Sequence, residues 1–260
     1  MATPPVKEVS RRTGTASPAW IALFGALIGV TALIPIFPYV GGGGYVPLLV
    51  PFSAMAPMLL GPAGGIFASV IGGLIGMFIA PAAFPLGIVD VLETGIAPAF
   101  FTALMLNNDR YYAWNIPILA IFSAFAVLFP YYIPGPAAGF PYPPEPLYVL
   151  ISAIYWLPTL VVAILPFGRR TLPAWARSDE PRRRYFGLLI ILVLSLYMWW
   201  NPWTRPYWYV FHYPVKLALA TFVGYIWWVP ALSVITAVLA AAILEALKRS
   251  GLPKVERALW

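Results

Sequence analysis

Residues 18–37 read PAWIALFGALIGVTALIPIF, a stretch without a single charged side chain. A helix needs roughly 20 consecutive apolar residues to cross the hydrocarbon core of a bilayer, and this stretch has that length. It is longer than the apolar core of a secretory signal peptide, and no small-residue cleavage pattern follows it. The stretch therefore predicts an uncleaved membrane-spanning helix that begins at Pro18 and is ended by Pro35 and Pro38.

The composition extends this prediction to the whole chain. Of the 260 residues, 61% are apolar and only 10% are charged, and the mean hydropathy is +0.82. Soluble domains usually carry about half apolar and about a quarter charged residues. The apolar surplus must face lipid, which excludes a soluble enzyme, a disordered protein and a nucleic-acid-binding domain. We expect an all-α, polytopic transmembrane bundle of about eight spans.

Eight apolar segments follow one another along the chain, and prolines, glycines or polar turns separate them. They lie at residues 18–37, 46–60, 66–80, 86–106, 114–132, 147–167, 185–200 and 215–247. The last segment is longer than a bilayer requires, so we expect it to be tilted or to protrude. The predicted parts of the chain are a tail (1–17), a six-span core (18–168), a basic loop (169–184), a two-span hairpin (185–247) and a second tail (248–260).

The basic residues predict the orientation, because cytoplasmic loops carry an excess of Lys and Arg. With eight crossings and the N-terminus in the cytoplasm, fourteen of the sixteen Lys and Arg residues fall on the cytoplasmic side. Only Arg205 and Lys216 fall outside. A re-entrant segment 46–60 would reverse the sides of all later charges, so we expect this segment to cross. The sequence predicts a multi-pass protein of the cell membrane with both termini cytoplasmic.

Two carboxylates, Asp90 and Glu93, lie inside a predicted span. Ionisable residues at membrane depth are costly and favour a functional interpretation, and their i,i+3 spacing predicts that they share one helix face. We expect no basic residue in the middle of a span to neutralise them. Two interpretations stay open, namely binding of a ligand or ion and structural hydrogen bonding.

Further candidates for a solute site lie in the predicted outer loops. Glycines permit close approach of the backbone to a ligand, and four are consecutive: Gly41, Gly42, Gly43 and Gly44. This loop either lines a solute cavity together with Asp90 and Glu93 or is a simple connecting turn. The aromatic stretch 199–213, which contains the single histidine His212, is expected to form an interfacial belt or, alternatively, a lid or aromatic box for a ligand.

The first helix also has a face of small residues. Its small-xxx-small pairs comprise Ala22, Gly25, Ala26 and Gly29. A second run at four-residue spacing comprises Gly64, Ala68, Gly72 and Gly76. Such pairs allow close helix association in lipid, and they pack either within the chain or against a partner subunit.

Familiar catalytic motifs are missing from the sequence. There is no P-loop G-x-x-x-x-G-K-[ST], no H-E-x-x-H and no G-x-S-x-G, and the chain has no cysteine. We therefore expect a protein that is not an enzyme, does not itself bind ATP and carries neither a cofactor nor a metal.

Residues 19–106 resemble the substrate-binding (S) component of energy-coupling factor (ECF) transporters. The resemblance is carried by the pair Ala22-x-x-x-Ala26 in a first helix that ends in a proline, by the glycine-rich loop, and by LLGPAGG at 59–65 running into GGLIG at 72–76. These motifs cover about a third of the chain. Such components usually have about six spans, so this chain has an additional C-terminal hairpin.

The resemblance implies a subunit that captures a vitamin or a similar small molecule from outside. It also implies a membrane coupling subunit, which would contact Ala22 and Ala26, and cytoplasmic ATPases that supply the energy. Two other classes stay open on the residues alone: a proton- or cation-coupled carrier that uses Asp90 and Glu93, and a non-transporting structural subunit of a membrane complex.

Overall fold

The protein is described here from a computed structural model that covers residues 14–39, 42–128, 146–211 and 215–260. In these ranges the chain is almost entirely helical. The helices are α1 (Pro18–Thr31), α2 (Leu49–Ile79), α3 (Ile88–Leu106), α4 (Asn108–Leu128), α5 (Pro146–Ile164), α6 (Phe167–Ala176), α7 (Pro181–Phe211), α8 (Val215–Tyr225) and α9 (Trp228–Arg249). Two short antiparallel strands, β1 (Pro35–Pro38) and β2 (Tyr45–Pro47), form a ribbon between α1 and α2.

The helix lengths confirm the membrane-type, all-α fold. Within the described ranges, five helices are long and apolar enough to cross a membrane. The number is six if α5 and α6, which are bent by 80° at their junction, form one broken span. By length and composition alone, the structure therefore supports five or six spans, where the sequence predicts eight.

Helix α2 is a helical hairpin rather than one straight rod. Gly61 has φ 71° and ψ 171°, a backbone conformation open essentially to glycine alone. The chain folds back there, so that Ser53 Oγ donates to Ser69 Oγ at 3.0 Å. Residues this far apart would lie roughly 24 Å apart in a straight helix. The tight turn predicted after residue 60 is confirmed, and residues 49–60 form a first arm that is buried almost throughout.

The first helix is shorter than the sequence predicts. It ends at Thr31, and residues predicted to continue it form strand β1 instead. The ring of Pro35 would collide with the carbonyl of the residue four positions earlier, which is Thr31. The α-helix therefore ends at Thr31, and the residues before the proline form only the tighter i→i−3 hydrogen bonds, such as Ile34 N to Thr31 O at 3.2 Å.

Two other predicted boundaries are wrong. The basic loop predicted at 169–184 is largely helical, because α6 ends at Ala176 and α7 already begins at Pro181. Helix α7 then continues to Phe211 through most of the aromatic stretch that was predicted to be an outer loop. Trp199 and Trp200 are fully buried in it, which contradicts an interfacial belt at these two residues.

The long C-terminal segment predicted at 215–247 is two helices, α8 and α9, separated at residues 226–227. The cause lies in Pro230, which has no N–H to donate to the carbonyl four residues earlier. That carbonyl belongs to Ile226, and the Tyr197 hydroxyl of α7 donates to it at 2.6 Å. A neighbouring helix thus replaces the hydrogen bond that the proline removes.

One end of the bundle, here called the terminal face, consists of residues 14–17, the Gly61 turn, residues 107–110, the α6–α7 region and residues 250–260. Leu259 N donates to Met58 O at 2.9 Å, and Trp260 Nε1 donates to Leu59 O at 2.8 Å. Asn107 Oδ1 accepts from Arg177 at 3.0 Å and from Arg257 at 2.6 Å. These contacts join the C-terminal residues to the helix turns, and Gly14 O accepts from Glu256 N at 2.8 Å.

Ion pairs lie on the surface of the terminal face. Arg257 contacts Asp109 at 3.2 Å, and Asp179 accepts from Lys248. The ammonium group of Lys248 lowers the pKa of Asp179 below its ordinary value. Burial lowers the pKa of Arg177. This end of the molecule is therefore polar and rich in basic residues.

The opposite end, here called the ribbon face, consists of the β1–β2 ribbon, residues 80–87 and the C-terminal part of α7. The Phe37 ring of β1 lies 4.6 Å from the Tyr225 ring, whose hydroxyl donates to Pro38 O at 2.9 Å. Tyr45 OH donates to Ala32 O at 3.1 Å, and burial raises the pKa of Tyr45, which keeps this hydroxyl protonated. The ribbon is thus fastened to α1, α8 and the end of the bundle.

Large apolar side chains cover the outside of the helices. Examples with most of their surface exposed are Leu23, Phe67, Phe78, Trp114, Ile121 and Leu150. Soluble monomers rarely expose contiguous apolar patches of this extent, whereas a bilayer covers them. The exposed surface therefore agrees with a membrane environment.

Candidate functional site

Asp90, predicted from the sequence as a site residue, is fully buried in the first turn of α3. Its Oδ2 accepts from Leu86 N at 2.6 Å, and its Oδ1 accepts from the Tyr207 hydroxyl at 2.5 Å. Thr94 supplies a further side-chain hydrogen bond. A carboxylate at a helix N-terminus is also stabilised by the helix dipole. Both oxygens of Asp90 are therefore engaged by groups of the protein itself.

A chain of hydrogen bonds connects Asp90 to the ribbon. The Tyr207 hydroxyl lies 3.2 Å from the Tyr39 hydroxyl, and the Tyr39 hydroxyl lies 3.5 Å from Ala83 O. The two tyrosine rings also contact each other edge to face at 5.3 Å. Tyr39 belongs to the loop that follows β1, so this chain ties the ribbon to α3 and α7 through groups shielded from solvent.

The glycine loop forms the tip of the ribbon. Gly42 and Gly43 have φ of 78° and 85° and are exposed, which is the backbone conformation that a tight turn needs and that glycine adopts without strain. Tyr39 N donates to Gly44 O at 3.0 Å, and Gly42 N donates to Tyr39 O at 2.9 Å. The link from this loop to Asp90 runs through Tyr39 and Tyr207. Gly41 and His212 lie outside the described residues.

Glu93 lies in a π-helical turn, Val91–Ile96, inside α3. Ala97 N bonds to Leu92 O in the wider π pattern, and the next residue, Pro98, has no N–H. The carbonyl of Glu93 therefore has no donor within its own helix. Trp199 Nε1 of α7 donates to it at 2.6 Å, so the aromatic stretch of α7 holds the π turn in place.

The Glu93 side chain has surroundings different from those of Asp90. It lines a cavity of about 300 Å³ with apolar side chains of α3 and α4, among them Leu92, Phe100 and Phe122. Its Oε2 atom is buried and has no hydrogen-bond partner. The predicted i,i+3 pair is thus split between two environments, one fully satisfied and one apolar.

The small residues of α1 also lie in two different environments. Gly25 and Gly29 are buried against the second arm of α2, where added Cβ atoms would lie 2.8 Å and 2.6 Å from the Cβ atoms of Ile71 and Ile75. These two glycines serve packing within the chain and are not available to a partner in this structure. Ala22 is exposed and Ala26 is partly exposed, so they remain on the outer surface.

Two features of the ribbon face were missed by the sequence analysis. Trp200, Tyr225 and Trp228 pack together, with ring centroids 4.1 Å apart for the first two. Arg205, predicted to lie in an outer loop, is a fully buried residue of α7 whose Nη2 donates to Ala126 O at 3.0 Å. A helix that continued past Ala126 would use the N–H of residue 130 as the donor to Ala126 O, but residue 130 is a proline. The sequence therefore indicated that this carbonyl needs another donor, but not that Arg205 supplies it.

Comparison with known protein families, with curated proteins and with solved structures finds no match to this chain. The resemblance to the S component of ECF transporters therefore rests on the sequence motifs alone.

Proposed function

We propose that this chain is the membrane-embedded solute-binding subunit of an ATP-driven importer of a vitamin or similar small molecule. The observation that carries the proposal is the buried hydrogen-bond chain from Asp90 through Tyr207 and Tyr39 to Ala83 O. A carboxylate held at membrane depth beneath a two-stranded ribbon suits a solute site that opens toward the ribbon face.

The proposed topology has eight crossings with both termini in the cytoplasm. It is supported by the alternation of connections along the chain, since the β1–β2 ribbon and residues 80–87 lie at one end while the Gly61 turn and residues 107–110 lie at the other. It is also supported by the basic residues of the terminal face, because cytoplasmic loops are rich in Lys and Arg. The two arms of α2 count as separate crossings in this topology.

Solute entry would require the ribbon to separate from α7. Opening would break the contact between Tyr39 and Tyr207 and expose the Tyr207 hydroxyl, which donates to Asp90, to the solute. The groups that open are then polar and can hydrogen-bond a small polar molecule.

The proposed partners are a membrane coupling subunit and cytoplasmic ATPases. Support comes from the exposed Ala22 and partly exposed Ala26, which leave a shallow strip on α1 where another helix could approach closely. The chain itself has no nucleotide-binding motif, so ATP hydrolysis would belong to the partners.

Purification from native membranes in mild detergent, followed by mass spectrometry, tests this proposal. We expect a second membrane subunit and ATPases to co-elute, together with a retained small molecule. Ala22→Leu should abolish this co-elution and uptake while the isolated chain stays monodisperse, because the substitution fills the strip without touching the core. Unchanged co-elution and uptake in this variant would contradict the assigned interface.

A cation- or proton-coupled carrier is the second candidate, and the Oε2 atom of Glu93 without a hydrogen-bond partner favours it. A carrier would accumulate solute in liposomes that contain this chain alone, driven by an ion gradient. The ATP-dependent importer would not. A structural subunit of a membrane complex would bind no solute in either experiment.

A further inference from the structure

The cavity beside Glu93 has an unusual combination of lining groups. Its walls are side chains of α3 and α4, and the rings of Phe100 and Phe122 lie 6.2 Å apart. Leu92 at its edge is 58% exposed, so the cavity opens sideways on the outer surface of the bundle. One carboxylate is the only ionisable group among its lining residues.

The carboxylate is not used by the fold. Trp199 bonds to the main-chain carbonyl of Glu93 and not to its side chain, and the Oε2 atom is buried without a hydrogen-bond partner. Asp90, one turn earlier, differs because Leu86 N and Tyr207 OH occupy its oxygens. A buried polar atom without a partner destabilises a folded protein, so a ligand that supplies the missing donor is stabilised here.

The groups that line the cavity favour an organic ammonium over a metal cation as the ligand of Glu93. Metal cations such as Ca²⁺ require six or more oxygen ligands, and the described residues contain no group of three or more His, Cys, Asp or Glu that could hold a metal. An organic ammonium needs only one carboxylate, and its apolar body can fill the remaining volume. Aromatic rings such as those of Phe100 and Phe122 also attract ammonium groups.

We propose that this cavity binds an amphipathic amine, a compact apolar molecule that carries one ammonium group. The molecule enters sideways from the membrane past Leu92, places its ammonium on Glu93 Oε2 and packs its body against Phe100 and Phe122. The proposal adds a second binding site, apart from Asp90, and rests on the proposed function only for the consequence that the amine is imported. Binding itself requires no partner subunit.

The test is titration calorimetry on the purified chain in phosphatidylcholine nanodiscs, with empty nanodiscs as the blank. The probes are 1-adamantylamine and 1-adamantanol, which share one apolar cage and differ in the charged group. We expect saturable binding of the amine, with the alcohol at least about tenfold weaker because its hydroxyl donates a neutral hydrogen bond and brings no positive charge to the carboxylate. Equal affinity for the two probes, or no saturable binding of the amine, overturns the proposal.

Variants locate the binding. Glu93→Gln should weaken amine binding at least about tenfold, whereas Glu245→Gln, which changes a carboxylate paired with Arg249 near the terminal face, should bind as the unmodified chain does. Ala97→Leu keeps the carboxylate and fills the cavity, so it should weaken binding of both probes and provides the test if Glu93→Gln does not fold. Amine binding unchanged in Glu93→Gln or in Ala97→Leu overturns the assignment. Failure here leaves co-elution with ATPases, the test of the proposed function, unaffected.

Discussion

At the scale of single residues, two main-chain carbonyls lack the backbone N–H group that would normally donate to them within a helix. Proline removes the donor for Ile226, and the π turn followed by Pro98 removes it for Glu93. The replacements are the Tyr197 hydroxyl and the Trp199 indole, both from α7. Helix-breaking residues are tolerated in membrane bundles where neighbours restore such hydrogen bonds. Here one helix restores two of them.

We predict that Tyr197→Phe lowers the free energy of unfolding by about 1–3 kcal/mol, because Ile226 O loses its donor. In the background Pro230→Ala the same change should have a smaller effect, since the alanine N–H can bond to that carbonyl. Reversible SDS unfolding followed by tryptophan fluorescence measures both values. Tyr112→Phe, which removes a hydroxyl near the protein surface from Ile164 O, is the matched control. An effect of Tyr197→Phe that is equal in both backgrounds would contradict the explanation.

A second prediction at this scale concerns Asp90. Asp90→Asn should weaken retention of the co-purified solute by about tenfold or more, because a charged acceptor is lost and hydrogen bonds to charged groups are the stronger ones. Quantitative mass spectrometry of the solute per mole of purified chain measures this. Glu245→Gln again serves as the control for loss of a carboxylate. Retention equal to that of the unmodified chain would assign Asp90 to structural hydrogen bonding alone.

The sequence placed Asp90 and Glu93 in one apolar helix, which the structure confirms, because an ionisable residue stands out in an apolar segment. Asp90 is fully buried, whereas Glu93 is partly exposed. The sequence did not identify Tyr207 as the partner of Asp90. The two residues are separated by more than a hundred positions. Nothing in the sequence around Tyr207 indicates which residue its hydroxyl contacts. Asp90 and Glu93 also have different surroundings because of the π turn. The i,i+3 spacing of the two residues does not reveal that turn.

At the scale of elements, close packing of α1 against the second arm of α2 depends on glycines. A side chain at Gly29 would occupy the position of Ile75, and one at Gly25 would meet Ile71. The four-residue spacing predicted the close approach, since it aligns the small residues on one helix face. The choice between packing within the chain and packing against a partner required the structure.

We predict that Gly29→Leu lowers the free energy of unfolding by about 1–3 kcal/mol, the usual effect of overpacking. Ala22→Leu, the same side chain on the exposed side of the same helix, should change it by less than about 0.5 kcal/mol. Both variants are measured by SDS unfolding under identical conditions. Equal effects would show that the two positions do not face different surroundings.

Element boundaries show where local sequence signals are sufficient. Gly61 and the turn at Asn107 end helices where the sequence predicts ends. Helix α7, in contrast, passes through Pro202 and Pro206, and the sequence predicts a loop there. Burial of Trp199 and Trp200 against other elements stabilises the helix, and such tertiary packing is not encoded in a local pattern.

At the scale of the whole molecule, the described connections between α1 and α4 alternate between the ribbon face and the terminal face. The chain has no cysteine, so single cysteines can report which side each connection faces. Ala63 and Ala82 are exposed residues at opposite ends of the second arm of α2. They offer conservative positions for such labels.

We predict that a membrane-impermeant maleimide labels Ala82→Cys in intact cells and labels Ala63→Cys only after permeabilisation. This result follows if the two arms of α2 each cross the membrane and the terminal face is cytoplasmic. Labelling with and without detergent, followed by a mass shift on a gel, measures it. Labelling of Ala63→Cys in intact cells would contradict this topology, because the first arm would then not cross the membrane.

The hairpin of α2 also constrains how the protein is made. Residues 49–60 extend only about 18 Å as a helix, against roughly 30 Å of hydrocarbon, and nearly all their side chains are covered by other parts of the chain. During synthesis the later parts of the chain that bury these side chains do not yet exist. The first arm is therefore poorly suited to move from the translocation channel into the bilayer by itself. In the proposed topology the two arms should therefore enter the bilayer together, and α1, which precedes them in the chain, then docks through its glycines to form the first stable unit.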